Sequence, residues 1–364
     1  MLAAILADQV ARRATPGGVL IAADAGVVTD RIAFGRTHWE DRPDIGPPRP
    51  VTVDTPYDLA SLTKPIATVG CLMQLVARGD VDLDAPVRRW LPELAPDGAA
   101  RARVRDLLCH SSGLPAHLPF YRQLCAGERD GTASARDALV AMAARTPLAY
   151  APGTRAVYSD LGFILLGALV ERATNERLDR AARRLVFEPL GMRSARFADL
   201  LAGEQIAGAP PTEECPHRGL VCGRVHDQNA YAAGGICGHA GLFAAADDVA
   251  AFAAAVLGAR PGFDRAVVDA FLARSPVPGS TWRYGWDTPS PEPGASQAGD
   301  RWPRTSGFGH TGFTGTAMWL DRVTGRFAVL LTNSIHPRVQ QPVTKAMRRE
   351  VMDAVVARLD ELAH

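Results

Sequence analysis

Strand signals stand at both ends of this chain, with a helical middle between them. Residues 17–38, GGVLIAADAGVVTDRIAFGRTH, read as two strands around a turn near Asp24–Gly26. Residues 316–334, TAMWLDRVTGRFAVLLTNS, read as a hairpin turning at Thr324-Gly325. Residues 1–14 read as an amphipathic helix, with Leu2, Ile5, Leu6 and Val10 near helical spacing, and 339–362 as a closing helix. The stretch from about 76 to 265 is Ala-rich and mostly helical, and 278–307 is long and turn-rich. The economical architecture is α/β (α+β): an antiparallel sheet built from both chain ends, flanked by helices, with a mainly helical region inserted. The corresponding partition is a sheet-and-helix domain, 1–75 plus 266–364, and a helical region, 76–265.

Of 40 basic side chains only two are lysines, Lys64 and Lys345. Lys64 stands in DLASLTKPIATVG (58–70), three residues after Ser61. A helix from near Ser61 to about Arg78 places these two on one face. Its positive end favours a developing alkoxide at Ser61. Lys64 lies among Leu62, Pro65, Ile66 and Val69, so burial should lower its pKa and make the amine a usable base. A weak nucleophile beside a desolvated base suits acyl transfer. The plainer alternative is an N-cap serine with a lysine snorkelling to solvent.

Two downstream segments offer partners. Tyr158-Ser159-Asp160 directly precedes an apolar helix, whose mouth can hold a phenol beside Ser61 and Lys64. In GFGHTGFTGTAMWLD (307–321), glycines flank His310-Thr311-Gly312 before a strand, where backbone can approach a ligand closely. The N–H groups of Ser61 and Phe313 would there form an oxyanion hole, each donor worth about 10²–10³ in rate.

These three elements in this order, S-x-x-K, a Tyr-x-Asn-like triplet and a Lys-Thr-Gly-like triplet, resemble the penicillin-recognising serine hydrolases. That group includes class C β-lactamases, D-stereospecific peptidases and esterase relatives. RVRDLLCHSSGLP (103–115), the Tyr158 segment through FEPLGM (152–192), GHAGLFAAADDVAAF (238–252) and the 309–333 segment are similar to the family's connectors. The likeness runs from about residue 17 to 350. It implies a β-lactamase/transpeptidase-like fold with the site between the two regions. Ser61 would be the nucleophile, and Lys64 and Tyr158 the proton-transfer groups. Asp160, His310, Thr311 and Gly312 would bind substrate, and Ser61 and Phe313 would supply the oxyanion N–H groups. The implied enzyme needs no cofactor or metal. It hydrolyses ester or amide bonds of small substrates, as an esterase or D-amino acid peptidase or amidase, with weak β-lactamase activity at most.

Two positions depart from the pattern. Asp160 replaces the Asn usual in class C β-lactamases, and a carboxylate there would favour protonated Lys64 and shift the base role toward Tyr158. His310 replaces a lysine, and a mostly neutral imidazole weakens the anchor for a substrate carboxylate. The pocket walls would come from 115–130 and 278–307, with Val225-His226-Asp227 and Asn229 near the entrance.

A competing cluster packs Cys215, His217, Cys222, His226, Cys237 and His239 into one short span. These could ligate zinc, but no tidy C-x₂-C pair appears. A zinc-dependent protein is therefore one rival, and a non-catalytic penicillin-binding-like module is another.

Composition narrows the setting. With 47% hydrophobic and 22% charged residues the chain folds into a globule. The net charge of +1 and the lack of a basic run exclude a nucleic-acid stripe. The start, MLAAILADQVARRATPGG, is interrupted by Asp8 and has no basic lead, so it does not read as a signal peptide. No stretch reads as a membrane span. Cysteines 71, 109, 125, 215, 222 and 237 form no disulfide framework. Together these features predict a cytoplasmic protein. The sequence leaves oligomeric state open.

Overall fold

The computed structural model describes residues 1–95, 98–125 and 134–363. Its central sheet has five antiparallel strands: β1 (Gly17–Asp24), β2 (Val27–Gly35), β3 (Gly307–Thr311), β4 (Ala317–Asp321) and β5 (Phe327–Thr332). The spatial order is β2-β1-β5-β4-β3, so the two chain ends meet at the β1–β5 pair. There Gly18 faces Thr332 and Ala23 faces Phe327. Both expected hairpins form, β1–β2 around Ala25-Gly26 and β4–β5 around Thr324-Gly325. β3, which carries His310 and Thr311, is an edge strand.

Each strand at the centre is buried on both faces, and period-2 alternation divides its side chains between two cores. Leu20, Ala22, Ala328 and Leu330 join Trp319 under the terminal helices α1 (Leu2–Ala11) and α5 (Gln341–Leu362). Val19, Ile21, Val329 and Leu331 face the larger core with the helical region. That core takes in α2 (Gly70–Ala77), α3 (Asp160–Thr174) and α4 (Ala246–Leu257), with α4 against β1, β4 and β5. Fully burying one Val, Leu or Ile contributes about 1.5–3 kcal/mol, so this two-sided sheet is the rigid floor of the molecule.

The expected helix from Ser61 to Arg78 is not one regular helix. Ala60–Leu62 is a 3₁₀ turn, Lys64–Val69 is π-helical, and only Gly70–Ala77 is α-helical. Pro65 has no N–H to donate, which breaks the α ladder at this point. The apolar run Ala60–Ala77 is long enough by composition to cross a membrane, yet 78% of it is buried inside the fold, which makes it a core element.

Candidate active site

Ala60 is in the left-handed region at φ +48°, strained for a residue with a Cβ. The turn is held from three sides. The Ala60 N–H donates to Asp58 Oδ1 (2.9 Å), and the Thr314 and Thr316 hydroxyls donate to the carbonyls of Asp58 (2.7 Å) and Leu59 (3.1 Å). Gly312 packs directly on this turn. A Cβ there would lie 2.3 Å from the Leu59 carbonyl oxygen, so only glycine lets the end of β3 come this close. Strain held by surrounding contacts is common at functional sites. Here it lifts Ser61 toward the cleft.

Ser61 Oγ lies 2.9 Å from Lys64 Nζ and 2.7 Å from the Tyr158 hydroxyl. Three segments far apart in sequence therefore converge on one oxygen. Lys64 is fully buried, and its ammonium also donates to Asp160 Oδ1 (2.8 Å) and the His239 carbonyl (3.0 Å). All three of its donors are used. The His239 carbonyl comes within reach because Gly238 packs on Gly167 of α3, where a Cβ on Gly238 would sit 2.2 Å from the Phe163 carbonyl oxygen.

Tyr158 and Asp160 are set by the start of α3. Ser159 caps that helix, its hydroxyl accepting from the Gly162 N–H (3.3 Å) and donating to the Pro115 carbonyl (2.7 Å). The Ser159 N–H donates to Nδ1 of buried His110 (3.0 Å). His110 itself has φ +58°, and its ring packs 4.7 Å from the Tyr158 ring and 4.4 Å from that of Trp282. Burial and the nearby Lys64 charge hold His110 neutral, far below its ordinary pKa. It supports the phenol from behind.

The expected fall in the Lys64 pKa is reversed. Burial pushes the ammonium down, but attraction from Asp160 and coupling to Tyr158 outweigh it, and the pKa ends above its ordinary value. Burial alone would raise the Asp160 carboxyl, yet Lys64 beside it and His117 hold it well below the usual carboxylate range. Burial raises the Tyr158 phenol. The resting site is thus an ammonium, a carboxylate and a neutral phenol.

Ser61 and Tyr158 open into a cavity of about 340 Å³ with Trp282, Asp287, Gln297, His310, Thr311, Gly312, Phe313, Gln341 and Arg348. Among the described residues, neither the Ser61 nor the Phe313 N–H has a hydrogen-bond partner, so both are free to donate. His310 is buried and neutral, its pKa pushed down to about 3 by burial and by Lys64. Its Nδ1 lies 2.8 Å from the Thr311 carbonyl, and Nε2 has no partner. A cation still stands in the pocket wall. Arg348 of α5 is 2% exposed, with donors on Gln297 Oε1 (2.7 Å) and the Gly312 carbonyl and its Nε unpartnered.

The candidate zinc cluster disperses. His226 binds Glu213 (2.7 Å) and stacks on the Phe313 ring (5.4 Å between centroids). His239 binds Asp227 (2.9 Å), Cys222 donates to the Ala209 carbonyl (3.4 Å), and Cys237 is buried in the apolar core. Among the described residues no three His, Cys, Asp or Glu side chains are grouped to hold a metal ion. Asn229 does not face the cleft. It clamps the wall segment through the Leu118 carbonyl and the Tyr121 N–H, both at 2.9 Å. Residues 126–130 of the expected wall lie outside the described residues.

Sequence reasoning missed Asp58, His110, Asp287 and Arg348 as parts of the site. Asp58 and His110 stood inside segments already singled out, and Asp287 inside the turn-rich stretch 278–307. Nothing local distinguishes Arg348 from its arginine neighbour.

The comparisons with known proteins give the family and the fold. A family model described as Beta-lactamase matches residues 2–351. An N-acetylmuramyl-L-alanine amidase of Bacillus subtilis (strain 168) is 31% identical over 352 residues, covering 90% of this chain and 79% of the relative. A protein of Escherichia coli (strain K12) that bears the name "Putative D-alanyl-D-alanine carboxypeptidase" is 33% identical over 325 residues, covering 81% of this chain and 73% of the relative. Among solved structures, EstCE1, described as a hydrolase with promiscuous acyltransferase activity, superposes with a TM-score of 0.75 at 21% identity, covering 98% of this chain and 97% of that one. At that identity the likeness speaks for the fold.

Proposed function

Because the chain belongs to the beta-lactamase family, whose members here are serine hydrolases acting on ester, amide or peptide bonds, we propose that Ser61 is its nucleophile and that Lys64 and Tyr158 move the proton. The observation that carries this reading is the pair of contacts on Ser61 Oγ, 2.9 Å from the ammonium and 2.7 Å from the phenol. The substrate carbonyl oxygen lies toward the Ser61 and Phe313 N–H groups, with the scissile group along Thr311 and Gly312.

The reactive form has one proton fewer than the resting one. Asp160 keeps Lys64 charged, so the missing proton is that of Tyr158. The phenolate takes the Ser61 proton as Oγ bonds to the carbonyl carbon, and the neighbouring ammonium stabilises the transferred charge. The same phenol then protonates the leaving group as the acyl-enzyme forms. Water repeats the sequence and releases the acid. Six free cysteines support a reducing compartment such as the cytoplasm.

The test is intact-mass spectrometry after exposure to a fluorophosphonate or a p-nitrophenyl ester, followed by peptide mapping. One adduct on Ser61, absent from Ser61→Ala, is the expected result. An adduct on another residue, or unchanged turnover by Ser61→Ala, would move the nucleophile elsewhere.

A further inference from the structure

Two charged side chains face the same cavity, and neither has a counter-charge. Asp287 is half-buried in the cavity wall. Its Oδ1 accepts from the Thr288 N–H (2.9 Å), and among the described residues no Lys, Arg or His pairs with it. Burial pushes its carboxyl up to about 6, with no cation to offset that effect. Arg348 is buried on another wall and donates only to uncharged oxygens. Burial alone acts on it and brings the guanidinium down to about 9. Uncompensated buried charge is unfavourable, and such groups gather where a ligand completes them.

The two groups are held apart by β3. Asp287 pairs through its backbone with Gly309, exchanging N–H···O bonds of 2.8 and 2.9 Å. Arg348 is bonded to the carbonyl of Gly312. Three residues of extended strand separate those anchor points by about 10 Å. Between them lie neutral His310 and Thr311, with Trp282 packed 5.8 Å from the His310 ring. The wall therefore presents an anion, an uncharged aromatic stretch and a cation, in that order along the strand.

We propose that this pocket selects short zwitterionic peptides or amino-acid derivatives, with Asp287 receiving the substrate ammonium and Arg348 its carboxylate. The inference rests on the acyl-enzyme reading only in that the scissile bond must then lie beside Ser61. An extended peptide of two or three residues has the matching span. The substrate supplies both missing counter-charges at once. A blocked amine or blocked carboxyl would leave one wall charge unpaired, so discrimination should fall at both ends of the ligand.

The native enzyme gives the first test. Alanyl-alanine in its four stereoisomers is compared with its N-acetylated and C-amidated forms by kcat/KM. We expect at least a tenfold preference for the unblocked form of the accepted isomer. Asp287→Asn should collapse the ammonium preference tenfold or more, with partial rescue by Asp287→Glu, and leave the carboxylate preference in place. Arg348→Gln should do the converse. Preference ratios are read, so a general loss of activity does not imitate the result. Calorimetric binding of the same set to Ser61→Ala tests the pocket apart from the chemistry. Equal handling of blocked and free forms, in turnover and in binding, would overturn the subsite assignment even if Ser61 proves to be the nucleophile. Selective binding with no adduct on Ser61 would instead overturn the catalytic reading alone.

Discussion

The reacting cluster and the substrate wall handle charge in opposite ways. Around Ser61 the charges of the proton-transfer group are answered. Lys64 has three acceptors, Asp160 faces Lys64, and His239 faces Asp227. On the wall, Asp287 and Arg348 have no counter-charge. The two sets adjoin through Ser61 and Tyr158, which open into the cavity that Asp287 and Arg348 line. Groups that must be in place before chemistry begins are preorganised by the protein. Groups that recognise the substrate are left for it to complete.

The largest expected effect breaks the answered side. Ser61→Ala should lower kcat on p-nitrophenyl acetate at least about 10³-fold with an unchanged melting temperature, and a smaller loss would mean that the contacts on Oγ are incidental. Tyr158→Phe should cost about 10²–10⁴ in kcat, the range for a general acid–base group, and wild-type turnover would return the base role to Lys64.

Asp160→Asn sharpens the same side. Asp160 raises both Lys64 and Tyr158, so its loss should let both pKa values fall and move the ascending limb of the pH–rate profile to lower pH. An unmoved limb would show that Asp160 is not coupled to the proton-transfer pair. Stability should drop by about 3 kcal/mol, because the variant leaves a buried ammonium unpaired. The depressed Asp160 pKa means that the pair's contribution is present above about pH 4 and lost as pH falls through the folded value. The raised Lys64 pKa means that it is also kept until pH climbs past the amine's ordinary range. Urea titrations of wild type and variant should therefore converge only in strong acid or strong base.

On the unanswered side, the ammonium preference should weaken below about pH 6, where Asp287 takes up a proton. Tyr158, His310 and Arg348 face the same cavity and Lys64 lies buried behind Ser61, but His310 stays neutral to about pH 3 and the other three keep their protons through this range. A preference constant from pH 5 to 8 would separate Asp287 from substrate binding. The smallest effect is expected at the turn itself. Ala60→Gly relieves a left-handed Cβ and should change stability by less than about 1 kcal/mol in the favourable direction, and clear destabilisation would deny the strain.

Local physics made much of this molecule legible in advance. Hairpins at Gly26 and Gly325, the helix behind Ser159 and the three-residue step from Ser61 to Lys64 all follow from short-range patterns, and they appear in the fold. The sign of the Lys64 shift was legible only through Asp160, whose carboxylate favours the ammonium, and not through the lysine's own segment. Its apolar neighbours argue for a lowered pKa, whereas a carboxylate 96 residues away decides the outcome. The irregular start of its helix was equally hidden, since Pro65 marks a missing N–H but does not say whether a 3₁₀ or a π-helical segment takes up the break.

The chain by itself determined the sheet from the strand signals at its two ends, the order of the three chemical motifs, and the candidates for attack, proton transfer and oxyanion binding. Tertiary structure alone decided which charges are paired and which are open. Arg348 and Asp287 are 61 residues apart and carry no periodic signal, and they share a cavity only because α5 packs beside the end of β3 at Gly312 while the 287 segment pairs with Gly309 in the middle of that strand. Pairing depends on distance and dielectric, and neither exists until the chain is packed.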